Sequence, residues 1–519
     1  MKLKLLISVN LLSFIFILLS FVSKSQFYNL PNDYSYSLLT ERTLAERDSS
    51  VHTSVKPYIP FFGEKYKHVA DSFRVFKYIT DDPALDKVFF HHLIHVKSKD
   101  KKYRLTLDPI LNFEYGRDFN DTLKRQLYTN SRGFIATGSI GKDFYFESML
   151  VENQSVFPNY IETQNNKTLV VPGQGRWKPF KVRGYDYAFS SGFISYQASK
   201  KLNIQVGHGK QKIGNGYRSL LLSDNALNYP YVRFTQQWFK GRVQYTNIYA
   251  SLMNLDSASA KIPPNTERLY QKKGASFQQL SINLAKWLNI GFFQGMMWQV
   301  GDRNNVQHMD WQFFNPVIFT NLAYYGLNNK NNILVGADIN IKITKRMSLY
   351  AQYMADDLSN TRSTGNGVGY QVGIRCFDVF KVKNWFFQAE YNDVAQSAYT
   401  SPLSSNGLNQ SYSQYNQNLA YTPGYGKELV LMTDYKYKRV FFNARYNYQY
   451  YTLNGSDLSE NQIANLKIGY TINPAYNANI SLGLSYRVQD YFFTKVSDNS
   501  TAYLYLSFKT SLYNAYFDF

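Results

Sequence analysis

Val440-Phe441-Phe442-Asn443-Ala444-Arg445-Tyr446-Asn447-Tyr448-Gln449-Tyr450 is the stretch that decides the fold. Its even positions are Val, Phe, Ala, Tyr, Tyr and Tyr, and its odd positions after Phe441 are Asn, Arg, Asn and Gln. In an extended chain successive side chains point to opposite faces, so this period of two makes one apolar and one polar surface. Ala478 to Arg487 repeats it, with Ala, Ile, Leu, Leu and Tyr on even positions and Asn, Ser, Gly, Ser and Arg on odd ones.

Moving outward from these two stretches, about 18 alternating segments run from 103–116 to 501–516, including 366–378, 384–394, 439–451 and 462–471. The connections between them alternate in length. Gly141-Lys142, Ser199-Lys200-Lys201, Lys240-Gly241, Lys286, Lys345-Arg346 and Asn473-Pro474 are short. Residues 154–184, 211–230, 254–272, 300–330 and 395–426 are long, and 359–365 is the main departure. Short turns at one end and long loops at the other are the pattern of an outer-membrane barrel, whose single-chain bacterial forms have an even strand count. The expected fold is all-β: a transmembrane antiparallel up-and-down barrel of about 18 strands. A mean hydropathy of −0.38 does not oppose this, because lumen-facing residues dilute the lipid-facing ones. Tyr and Phe number 45 and 38, which suits rings that are half wet and half dry at a membrane interface. The last strand, ending near Phe519, must then pair with Tyr103–Gly116.

Upstream, Met1-Lys2-Leu3-Lys4 and the apolar run Leu5–Val22, followed by Ser23-Lys24-Ser25, read as a secretory signal peptide over residues 1–25; a single N-terminal membrane anchor is the alternative. Export through a cleaved leader to the outer membrane of a Gram-negative bacterium follows. Residues 26–100 do not fit the strand series. Tyr36–Arg47 and Asp82–His95 are expected helices of a small region that is periplasmic or plugs the lumen, and 101–519 is the barrel. The single cysteine, Cys376, excludes an internal disulfide and a thiolate metal cluster. Losing Lys2, Lys4 and Lys24 with the leader brings the formal charge from +20 to about +17. Such a surface attracts lipid phosphates or an acidic polysaccharide; nothing points to nucleic acid.

Catalytic and metal motifs are weak. His91, His92 and His95 lie close together, and on a helix His91 and His95 would share a face. No Glu lies between them as in a metalloprotease helix, and they read as a structural cluster. Gly-x-Ser-x-Gly is absent, and Asp356-Asp357 would point to opposite faces of a strand. Gly207-His208-Gly209 and Gly214-Asn215-Gly216 lack the ending of a phosphate-binding loop. The chain reads as no enzyme, with no cofactor and no metal. Sugar recognition is better motivated, because flat rings flanked by amide, carboxylate and Arg groups stand in the long loops. Trp177, Tyr217, Arg218, Asp224, Tyr229, Trp311 and Tyr399 are the candidates, against an alternative role in interface belts and loop packing.

His208-Gly209-Lys210 through Ile213-Gly214-Asn215-Gly216-Tyr217-Arg218-Ser219-Leu220-Leu221-Leu222-Ser223-Asp224-Asn225, then Asn228-Tyr229-Pro230-Tyr231, resembles the capsule assembly protein Wzi family. The likeness is to the branch found in Bacteroidetes, often labelled gliding motility protein RemB. Phe314-Asn315-Pro316-Val317-Ile318-Phe319, Asn332–Asp338 and Tyr412–Gln417 before Gly426-Lys427-Glu428-Leu429 are also similar. The resemblance implies an 18-stranded outer-membrane barrel with a periplasmic helical region. It also implies a lectin-like role in binding and organising capsular polysaccharide at the surface. The partners expected are surface polysaccharide, outer-membrane lipid and lipopolysaccharide, and the barrel-assembly machinery during biogenesis. A motility or adhesion component of the cell surface and an outer-membrane channel are the alternatives.

Overall fold

The computed structural model describes residues 34–46, 51–57, 88–100, 102–141, 143–257, 270–300, 311–325, 331–356, 367–401, 409–453, 456–491, 500–510 and 513–519. Among these, eighteen strands close into one antiparallel barrel. They are β1 (Tyr103–Asp118), β2 (Leu127–Ile140), β3 (Phe144–Val156), β4 (Gly184–Ser199), β5 (Leu202–Gly209) and β6 (Tyr229–Trp238), followed by β7 (Val243–Ser257), β8 (Tyr270–Ala285), β9 (Leu288–Gln299), β10 (Asn332–Lys342), β11 (Met347–Asp356) and β12 (Gly367–Phe377). The last six are β13 (Trp385–Val394), β14 (Gly426–Tyr437), β15 (Val440–Leu453), β16 (Ser456–Asn473), β17 (Ala478–Tyr491) and β18 (Ser500–Lys509). Each pairs with its neighbours in sequence, and β18 closes on β1 from Tyr503↔Asp118 to Lys509↔Asn112. Among the described residues no helix is long and apolar enough to cross a membrane; the strands do so.

The alternation read from the sequence is the wall's two faces. On β15, Val440 and Phe442 are exposed, whereas Asn447 and Gln449 are buried. Leu150, Ile194, Val206, Leu482 and Leu506 extend the exposed apolar band around the barrel. Such a band is stable only against lipid.

Three sequence expectations need correction. The last strand was expected over 501–516 but ends at Lys509. Beyond it the partner strand carries Pro109, which has no N–H to give to a ladder. There the Thr510 hydroxyl takes over, donating to the Pro109 carbonyl at 2.8 Å and accepting from Leu111 N–H at 2.7 Å. Second, the helix expected over Asp82–His95 does not reach His95. Ile94–Lys97 is a strand paired with Arg104–Leu107, covering the edge of β1 that β18 leaves free; residues 82–87 lie outside the described residues. Third, β15 and β16 run past the expected ends at 451 and 462, pairing as far as Leu453↔Ser456 on the long-loop side. The helix expected over Tyr36–Arg47 is present as Tyr34–Ala45. The leader, residues 1–25, lies outside the described residues.

An 18-stranded barrel is wide enough for an aqueous channel, but one side of this lumen is filled. Leu220, Leu221 and Leu222 of the β5–β6 loop pack with Tyr399, Tyr412, Leu419 and Tyr421 of the β13–β14 loop. The facing wall is apolar there, with Ile248, Leu252, Phe277, Phe293 and Leu334. Residues 51–57 join from the short-turn end, Val55–Lys56 pairing with Lys212–Ile213. The helix Tyr34–Ala45 is tied below, Arg42 to Asp378 at 2.9 Å and Glu41 to Lys56 at 2.6 Å. The chain end, 513–519, enters from the remaining side.

Candidate functional site

The long-loop end carries a cavity of about 490 Å³, a size typical of ligand sites. It is built on an extension of the barrel wall. Gly175–Phe180 pairs with the start of β4, above the end of β5, in the register Trp177↔Tyr187 and Lys178↔Asp186. Pairing sets the faces. Trp177 turns inward with Tyr185 and Tyr187, its ring 4.7 Å from Tyr185 and its Nε1–H donating to the Asn165 carbonyl at 3.0 Å. Arg176 and Lys178 turn the other way and line the cavity with Asp186, His208, Asn228 and Tyr415.

The far wall is held by the β13–β14 loop. The Gln414 amide donates to the Asn228 carbonyl at 3.0 Å and accepts from Met253 N–H at 2.8 Å, and Tyr415 N–H donates to the Met253 carbonyl at 2.8 Å. The Arg176 guanidinium stands 4.8 Å from the centre of the Tyr270 ring, a cation–π distance. The site offers two cations, a carboxylate, amides and ring surface on a braced frame. Groups of these kinds are suited to hydrogen-bonding polyhydroxylated or anionic ligands.

Of the seven residues singled out from sequence, five lie in the lumen. Tyr217, Arg218, Asp224, Tyr229 and Tyr399 are all buried. Arg218, 1% exposed, meets Glu428 at 2.7 Å and Asp518 at 3.2 Å. The Tyr217 hydroxyl donates to Asp518 at 2.7 Å, and its backbone N–H to Glu390 at 2.7 Å. Asp224 accepts from the Tyr516 hydroxyl at 2.8 Å and the Asn514 amide at 2.9 Å. Burial opposes ionisation of Asp224, but Lys212 and the Asn514 donor hold its carboxyl below the usual range. Asp518 is likewise opposed by burial and held low by Arg218 and Arg445. The Tyr399 hydroxyl donates to the Leu220 carbonyl at 3.0 Å. Tyr217, Arg218, Asp224 and Tyr399 join the two inserted loops and the chain end, whereas Tyr229 stands at the start of β6 with its ring 6.5 Å from Phe277 of the wall. Trp177 is half-buried behind the cavity wall, and Trp311 is 75% exposed away from the cavity. Arg176, Lys178, His208, Asn228 and Tyr415 were not singled out. The alternation Arg176-Trp177-Lys178 was the available signal, since a strand that buries Trp177 must present both cations together.

The His cluster is resolved into separate contacts. His92 meets Asp108 at 2.6 Å through Nδ1, and its ring lies 5.9 Å from His95, which is on the strand Ile94–Lys97 rather than on a helix with His91.

Comparison with known proteins bears on this arrangement. The family described as Capsule assembly protein Wzi matches residues 97–503. Among solved structures the chain is similar to Wzi of Escherichia coli, described as an outer membrane protein involved in group 1 capsule assembly and a carbohydrate-binding β-barrel. The two share 12% identity at a TM-score of 0.57, over 94% of this chain and 100% of that one. A BenF-like porin from Pseudomonas fluorescens matches with 12% identity and a TM-score of 0.44, over 78% of this chain and 97% of that one. OccAB2 of Acinetobacter baumannii gives the same four values. No curated protein matches the chain.

Proposed function

The chain belongs to the capsule assembly protein Wzi family, and from that premise we propose that it binds surface polysaccharide at the extracellular rim and helps organise the capsule, as a lectin and not an enzyme. The observation that carries this reading is the rim cavity. Two cations share one face of a strand that extends the wall, beside ring surface and amides. The balance of charge favours an acidic glycan. Export through the leader at residues 1–25 belongs to the same reading, as do outer-leaflet lipopolysaccharide around the apolar band and a region 26–100 that closes the lumen from the periplasmic side. Recognition by the barrel-assembly machinery would fall to β18, where Leu504, Leu506 and Phe508 alternate outward, because Phe519 lies beyond the strand. The filled lumen weighs against a freely open channel. No feature of the described residues favours the motility reading.

The test is binding of purified capsular polysaccharide to the protein in lipid nanodiscs. An Arg176→Ala/Lys178→Ala variant is expected to bind an acidic glycan at least tenfold more weakly, about 1.4 kcal/mol, and to lose most of its salt dependence. Unchanged affinity and salt dependence in that variant would overturn the rim assignment.

A further inference from the structure

The loop between β9 and β10 leaves one piece, 311–325, in an unusual place. Its position follows from the register. On β8, Phe277 and Gln279 face the lumen, where Phe277 meets Tyr412 of the β13–β14 loop with ring centres 5.9 Å apart. Gln278 between them therefore faces outward, as do its cross-strand partners Asn247 on β7 and Gln294 on β9. Residues on this outer face belong against hydrocarbon. On β8 the outward series from the short-turn end is Leu284, Ile282 and Leu280 before Gln278. On β9 it is Leu288, Ile290 and Phe292 before Gln294, with Met296 and Trp298 beyond. At about 3.3 Å per residue, Gln294 lies roughly 20 Å along the strand from Leu288. A polar stripe of Asn247, Ser276, Gln278 and Gln294 thus interrupts the apolar band, yet all four are buried.

Residues 311–325 cover it. The Gln278 amide donates to the Asn315 carbonyl at 2.8 Å and the Tyr249 hydroxyl to the Phe314 carbonyl at 3.0 Å; the Tyr245 hydroxyl donates to the Pro316 carbonyl. Gln294 donates to Gln278 at 3.3 Å, completing a chain of amides. The segment's own N–H groups turn inward on themselves: Asn315 to the Gln312 carbonyl at 3.0 Å, and Val317 to the Asn315 side chain at 3.0 Å. Phe313 stacks on Trp298 at 4.9 Å, and Phe314 lies 5.5 Å from Tyr249. Irregular backbone survives at membrane depth only where protein satisfies its polar groups. Here the wall supplies the donors that the irregular carbonyls need, and the segment supplies the acceptors that keep wall amides out of lipid. Its other surface, Trp311, Val317 and Tyr324, is exposed and apolar or aromatic.

We infer that residues 311–325 form a re-entrant strap whose exposed side seats against the acyl chains of the outer leaflet while its inner side seals the polar stripe of β7–β9. The occupant follows from continuity: the strap's exposed surface continues the lipid-facing wall on either side of it. Phe314-Asn315-Pro316-Val317-Ile318-Phe319 is then a docking sequence. Phe314 anchors its first residue against Tyr249 and Trp298, and the bend brings three successive carbonyls onto three wall donors.

The test places a nitroxide spin label at Val317→Cys in a Cys376→Ser background, with the protein in bilayers, and compares collision with oxygen and with a water-soluble nickel complex. Leu482→Cys serves as the lipid reference and Val182→Cys, in an exposed loop, as the aqueous one. The Val317 label is expected to match Leu482, and adding Gln278→Leu is expected to shift it toward Val182 while the barrel keeps its heat-modifiable migration. Nickel access equal to Val182 in the parent would place the strap in water and overturn the inference. Shielding from both reagents would make the occupant a protein surface, which also overturns it.

Discussion

At the residue scale, the candidate side chains divide by where their charge is answered. Arg218 was legible as a residue with work to do, because Gly214-Asn215-Gly216-Tyr217-Arg218 concentrates chemistry in a loop. That it is buried was not legible: a long polar loop reads as exposed, and local spacing carries no information about the width of the lumen it can enter. Its burial makes the anions depend on it. Arg218→Met leaves Glu428 and Asp518 with part of their compensation gone and is expected to destabilise the packed loops by about 3–5 kcal/mol, measured by hydrogen exchange at 219–224. The triple variant Arg218→Met/Glu428→Gln/Asp518→Asn should recover most of that loss; if it does not, the ion network is not what holds the loops. His52 adds a pH dependence. Its Nε2 faces the Gly241 carbonyl at 2.9 Å and its Nδ1 the Ser281 hydroxyl at 2.8 Å, and burial lowers its pKa to about 4 against a smaller lift from Gly241. A histidine with a depressed folded pKa binds fewer protons folded than unfolded, so stability is full above about 6.5 and declines as pH falls toward 4. The loss reaches about 3 kcal/mol. Exchange of amides 51–57 should accelerate through that window, and His52→Gln should remove the acceleration while leaving any loss below pH 4 to the carboxylates.

At the element scale, the strands were the most legible part of the chain, because a period of two survives any tertiary context that has a lipid side and a water side. Their ends were less so. Nothing in Tyr503-Leu504-Tyr505-Leu506-Ser507-Phe508 signals a stop at Lys509; the reason is Pro109, almost 400 residues earlier, which only the seam brings alongside. The rim cations were missed for a related reason: Gly175–Phe180 is a short strand inside a polar loop, too short for periodicity to register. Because β18 and the chain end are separate elements, they should separate experimentally. Deleting 511–519 is expected to leave the β18–β1 seam closed, with normal heat-modifiable migration. The same deletion removes Asp518 from Arg218 and Tyr516 from Asp224, so ion conductance in planar bilayers should rise. Loss of barrel migration on that deletion would mean the tail is part of the closure after all.

At the scale of the whole molecule, the barrel is full on one side and hollow on the other. The apolar lumen wall runs along β7–β11, where the loops pack, whereas a cavity of about 400 Å³ lined by Glu114, Arg445, Lys467, Tyr503, Tyr505 and Lys509 remains against β1 and β14–β18. The intact protein is therefore expected to conduct far less than an empty barrel of this width, with residual current carried on the polar side. A Lys467→Glu variant should change the ion selectivity of that current, and unchanged selectivity would put the current elsewhere. The filling is assembled from distant stretches, 51–57, 210–228, 395–401, 409–425 and 513–519, and its contacts, such as Arg218 with Asp518, span far more of the chain than the hairpins of the wall; the β18–β1 seam spans more still. Contacts of that range form late, after the neighbouring strands have zipped. The seam, whose partners lie farthest apart, is then the last to shut, and the final residues, four to ten positions beyond its last pair, must be on the inner side at that moment. The order of events is built into the connectivity: hairpins first, the loops folded against them next, and a closed cylinder only once the carboxyl end has been caught inside.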